Sequence, residues 1–122
     1  MTRVRRVLTE LAQRAGVSVR HRVGRATEFP KARDFAYCTD ERGMPPIIVT
    51  APKLERQKLE RIAGVLSHEC GHAVLLAAGQ EDHAETDADR VGSRRTGVAV
   101  KYDRQSVETA GPGTRRPGWL PK

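Results

Sequence analysis

Apolar residues at Val4, Val7, Leu8, Leu11, Ala12 and Ala15 recur at the three, four, seven, eight spacing of one helical face, because side chains three and four apart on an α-helix stack on the same side. That spacing predicts an amphipathic helix over Thr2–Ala15, with Gly16 as its stop. The period then changes to two. Val17, Val19, His21 and Val23 alternate with Ser18, Arg20 and Arg22, as in a half-buried strand with one basic face. His21, set among valines, is expected to be a hydrogen-bonded part of the core. After a polar loop around 24–33, the run Asp34–Cys38 predicts a second strand, residues 39–43 its turn, and Pro46–Thr50 a third strand. Proline has no N–H to give to a ladder, so the prolines at its start place this third strand, with Ile47, Ile48, Val49 and Thr50, at the edge of the sheet.

Helical periodicity returns at Pro52. Leu54, Leu59, Ile62, Val65, Leu66, Val74 and Leu75 mark apolar faces as far as Ala78, Gly79 supplies the stop, and Gly64 is a candidate point of division into two helices. A further helix is expected from Asp82, an N-cap with Glu85 three residues on, to Arg95 before Gly97. Residues 110–122, rich in glycine and proline, predict an extended tail anchored by Trp119 and Leu120. A helix, a small three-stranded sheet and two or more further helices make an α+β fold. At 122 residues the chain fits one domain, 1–122.

Composition narrows the setting. No apolar run approaches the roughly 20 residues that cross a bilayer, and the N-terminal segment carries a charge in every turn, which disfavours a secretory signal. A cytoplasmic protein without a membrane partner is expected, and its two cysteines, Cys38 and Cys70, are expected to be reduced thiols. The net charge of +7 is unevenly spread: residues 1–33 hold nine Lys and Arg against two acids, whereas 34–122 hold thirteen of each sign. The basic first quarter is either a solvated face or an electrostatic footprint for nucleic acid or an acidic protein.

The chemistry concentrates at His68-Glu69-Cys70-Gly71-His72, a His-Glu-x-x-His motif inside a predicted helix. Residues four apart face the same way, so both imidazoles can occupy two corners of a zinc tetrahedron. Glu69 is rotated off that line, where it can reach water instead of the metal. Catalytic zinc takes a third protein ligand, and the candidates are His83, Glu85, Asp87 and Asp89. If the chain reverses at Gly79–Glu81, His72 and Glu85 reach similar heights on antiparallel helices, which favours Glu85. Asp89, one turn further, then accepts a hydrogen bond from the outer nitrogen of a ligand histidine. His83, at a helix start, is expected to be exposed. Cys70 is expected to be a buried packing residue, and Gly71 a point of close approach by another element.

At these residues the sequence resembles the gluzincin group of zinc metallopeptidases, whose His-Glu-x-x-His helix is completed by a glutamate on a following helix, in several families within an E-x-x-A-D stretch. Glu85-Thr86-Asp87-Ala88-Asp89 has that form. The likeness covers about 45–97 and is similar to the minimal one-domain gluzincins and to the ImmA-type peptidases of phages and mobile elements. It implies a zincin-like fold, a Zn2+ ion on His68, His72 and Glu85, and Glu69 as general base in peptide hydrolysis. It also implies a peptide or protein substrate paired with the edge strand Ile47–Thr50. Tyr102, following the glutamate helix, is a candidate oxyanion stabiliser. Two other readings stand beside this one: a DNA- or protein-binding regulatory module whose zinc is structural, and a metallopeptidase-like domain that is inactive alone or needs a partner.

Overall fold

The computed structural model describes residues 2–98. Helix α1 (Arg3–Ala15) starts where Thr2 accepts the Arg5 N–H on its hydroxyl at 3.1 Å. It ends in a left-handed Gly16 (φ 70°), with the Gly16 and Val17 N–H groups closing onto the Gln13 and Ala12 carbonyls, both at 3.1 Å. This double closure satisfies carbonyls that a helix end otherwise leaves unpaired, and glycine adopts the positive φ without steric cost. The face of Val4, Val7, Leu8, Leu11, Ala12 and Ala15 is buried, as its spacing predicts.

Strands β1 (Arg20–Val23), β2 (Ala36–Thr39) and β3 (Ile47–Thr50) form one sheet in the order β1-β3-β2. β3 runs parallel to β1, pairing His21 with Ile48, and antiparallel to β2, pairing Cys38 with Ile48. Ile47, Ile48, Val49 and Thr50 are therefore the central strand, which overturns their expected place at the edge. Pro45 and Pro46 lie just before the ladder, and the Pro46 carbonyl accepts the Arg20 N–H at 2.8 Å, so the sheet uses proline as an acceptor and never needs its missing donor. Ile48, Val49 and Thr50 are all buried, the continuous pattern of a strand covered on both faces. Among the described residues the edges belong to β1 and β2.

In β1 only Arg20–Val23 pair, and Val23 lies exposed; Val17 and Val19 pack against the core before the ladder begins. His21 is half-buried and meets the buried Thr50 hydroxyl at 2.9 Å, so it is hydrogen-bonded as expected but at the margin of the core and not within it.

A 3-10 turn over Pro52–Arg56 precedes α2 (Leu59–Ala77). The helical stretch divides at Gln57–Lys58 and not at Gly64, which is buried within an unbroken α2. Every residue from Ile62 to Gly71 is buried, because α1, the sheet and α3 cover α2 on successive sides. α3 (Glu85–Thr96) starts later than expected, with Ala84 as the capping position in place of Asp82. The Asp87 carboxylate accepts the Ala84 N–H at 3.1 Å, and a left-handed Gly97 (φ 76°) ends the helix.

The two helices meet backbone to backbone. A Cβ on Gly71 would stand 2.0 Å from the Ala88 carbonyl oxygen, and one on Gly92 2.1 Å from that of Ser67. Only glycine permits this approach, which brings the first turns of α3 over the histidine face of α2. No described helix is long and apolar enough to cross a membrane. Tyr102, Trp119 and Leu120 lie outside the described residues.

Candidate metal centre

The fold brings three ligand atoms together. His68, His72 and Glu85 each offer one such atom, and all lie within 4.8 Å of one another. Glu85 Oε2 is 2.6 Å from His72 Nε2 and 3.6 Å from His68 Nε2. The two imidazoles sit nearly perpendicular, with centroids 4.6 Å apart. His68 is buried and Glu85 exposed, so the cluster has a protein wall on one side and solvent on the other.

The outer nitrogens of both rings are occupied. Asp89 accepts from His68 Nδ1, and a carboxylate can only accept here, so the Nδ1 position carries the proton and Nε2 presents a lone pair. His72 Nδ1 lies 2.7 Å from His83 Nε2, while His83 Nδ1 lies 2.6 Å from the Gln80 carbonyl. His83 is therefore not the exposed residue expected at a helix start. Asp87, the remaining candidate ligand, caps α3 and bonds Arg90 at 3.5 Å instead of joining the cluster.

Burial lowers the pKa of His72, and the neighbouring His68 adds to that effect. For His68 burial acts in the same direction, but the Asp89 hydrogen bond and the Glu69, Asp89 and Glu85 charges outweigh it and raise the pKa. Glu69 is 3% exposed, and its Oε1 has no hydrogen-bond partner among the described residues. Burial, opposed by His68 and reinforced by Glu85 and Asp89, pushes its carboxyl up to about 7. A carboxyl poised there can take and return a proton near neutral pH. Cys70 is fully buried with its thiol pushed up to about 12 by burial and by Glu69, the state of a packing residue.

Among the described residues the outer edge of β2 is unpaired. The Ala51 N–H bonds the Phe35 carbonyl at 2.8 Å, and in an antiparallel ladder inward and outward residues alternate. Tyr37 and Thr39 thus direct their backbone groups toward β3, and Ala36 and Cys38 direct theirs outward. The Cys38 thiol is raised first by burial and next by the Glu69 charge, which puts this edge close to Glu69. A groove of about 1190 Å3 continues from Cys38 and Thr39 between the β2–β3 turn and the end of α2 at Leu76 and Ala77.

The donor set suits zinc: two imidazole nitrogens and one carboxylate oxygen. The sequence pattern pointed to His68, His72, Glu85 and Asp89, while the part played by His83 went unread. The signal available was the short connection from Ala78 to Ala84, which leaves a side chain little room to depart from the helix it has just left. Comparison of the chain with protein families, curated proteins and solved structures finds no match.

Proposed function

We propose that the chain is a zincin-like, zinc-dependent peptidase of the cytoplasm, with His68, His72 and Glu85 holding the ion and Glu69 as general base. One observation carries this reading. One ligand atom from each of His68, His72 and Glu85 converges within 4.8 Å of the others, with Glu85 Oε2 2.6 Å from His72 Nε2. Two imidazole nitrogens and one carboxylate oxygen gathered this closely, with His68 Nε2 3.6 Å from Glu85 Oε2, are the donors that a catalytic zinc takes.

Held by His68, His72 and Glu85, a zinc ion would supply Lewis-acid polarisation of a carbonyl and would acidify water. The chain's own residues do the rest. Asp89 and His83 hold the two imidazoles with their lone pairs inward. Glu69 accepts a proton from water as that water adds to the peptide carbonyl, then returns it to the departing amine. An extended peptide pairs with the outward N–H and C=O groups of Ala36 and Cys38, so β2 takes the substrate role first assigned to Ile47–Thr50. Recognition through backbone groups gives affinity with little dependence on substrate side chains.

Metal analysis of the purified chain and its variants, each checked by circular dichroism, tests the proposal. About one zinc per chain in wild type and Glu69→Gln, its loss in His68→Ala, and cleavage of an unstructured peptide by wild type but not by Glu69→Gln are the expected results. A folded wild type that takes up no zinc would overturn the assignment. Zinc uptake without cleavage would favour a partner-dependent or inactive domain.

A second reading rests on a groove of about 920 Å3 between α1 and β1, lined in part by Arg5, Arg20, His21 and Arg22. Its chemistry suits an acidic segment of nucleic acid or protein, although Glu28 pairs with Arg22 at 3.0 Å and Glu41 lies 3.9 Å from Arg20. Salt-dependent binding of a DNA duplex, weakened by Arg5→Ala, is its test.

A further inference from the structure

We propose that His83 is a positioning residue that fixes the tautomer of His72 through a hydrogen-bond relay ending on the Gln80 backbone carbonyl. This rests on the metal-site reading above and deepens it.

The direction of each proton follows from what each atom can do. The Gln80 carbonyl only accepts, so at 2.6 Å the proton between it and His83 belongs to His83 Nδ1. A neutral His83 then has a lone pair at Nε2. That lone pair, 2.7 Å from His72 Nδ1, requires His72 to donate from Nδ1. His72 Nε2 is left bare and faces Glu85 Oε2. The two rings lie with centroids 4.9 Å apart, so His83 also restricts rotation of the His72 plane.

The relay is anchored on the helix that carries His72. At the end of α2, the Gly79 N–H bonds the Leu76 carbonyl at 3.0 Å and the Gln80 N–H bonds that of Leu75 at 2.9 Å. A positive φ of 79° at Gly79 makes the turn possible. This closure sets the Gln80 peptide, whose carbonyl sets His83, whose ring sets His72. The path leaves α2 at Ala77 and returns to it one to two turns earlier.

The two histidines are thus oriented by different means. A carboxylate, Asp89, serves His68, whereas an imidazole serves His72. Glu69, Glu85 and Asp89 already place three carboxyl groups around the cluster, and an imidazole partner for His72 adds no fourth carboxylate. His83→Asp would therefore not be an equivalent replacement, even where it kept an acceptor.

The test compares His83→Phe, which keeps a ring but no acceptor, with His83→Gln, whose side-chain oxygen can reach roughly where Nε2 sits. Zinc affinity is measured by competition with a chromophoric chelator, the Co2+-substituted visible spectrum reports coordination geometry, and long-range 1H–15N spectra at pH 8 report the His72 tautomer. We expect His72 to be protonated at Nδ1 in wild type, with or without zinc. His83→Phe should bind zinc about 10–100-fold more weakly with an altered cobalt spectrum, and His83→Gln should recover most of the loss. A His72 protonated at Nε2, or a His83→Phe with wild-type zinc affinity and cobalt spectrum, would overturn the proposal. A wild type that binds no zinc fails the metal-site reading alone, because the tautomer of the metal-free chain still decides for or against the relay.

Discussion

Glu69 is the residue at which the fold works against itself. Its carboxyl is buried and raised to about 7, whereas in the unfolded chain it titrates near its ordinary value of about 4.3. The folded state therefore binds the proton more tightly, and the stability of the metal-free chain falls as pH rises from about 4.5 to about 7, then levels off. Glu69→Gln removes this dependence. Without metal, the variant should exceed wild type in urea denaturation at pH 8 by an amount on the order of 3–4 kcal/mol. That advantage should fade below pH 5. The same substitution should abolish peptide cleavage, so stability and activity move in opposite directions.

Among the elements, α1 was the most legible, because its apolar spacing and its Gly16 stop both point to one helix, with Thr2 turning out to be its cap and not its first residue. The interior of the fold was harder to read. β3 was misplaced at the edge because Pro45 and Pro46 weighed more than the unbroken burial of Ile48, Val49 and Thr50. Gly64 offered a break that packing overrode, since a helix covered on most sides does not depend on the propensity of one residue. The motif residues were legible because four-residue spacing fixes a face on any helix. The His83 relay was not, because it depends on the conformation of a short connection. At the α2–α3 crossing, Gly71→Ala and Gly92→Ala should each cost about 2–3 kcal/mol or more in chemical denaturation, because the added methyl meets backbone that has no rotamer to yield. Each should also weaken zinc binding in calorimetry, since separating the helices moves Glu85 from the histidines.

At the scale of the molecule, the proposed ion ties α3 to α2. Without it, the Glu85, Asp89 and Glu69 carboxyl groups stand around one point. Zinc in thousandfold excess over its dissociation constant should add about 4 kcal/mol to the stability of the fold. Thermal unfolding should therefore shift upward by several degrees with zinc and fall back with a chelator. His68→Ala should show no such shift.

The backbone contact at Gly71 and Gly92 has an evolutionary consequence. The distance between the histidine pair and Glu85 is set by main-chain atoms, so it does not vary with the size of the side chains that fill the rest of the interior. Leu11, fully buried on α1, can be truncated to alanine at a cost of about 2–5 kcal/mol, and the zinc affinity of the folded fraction should be unchanged. A chain built in this way can exchange much of its core over time while two small residues preserve its reactive geometry.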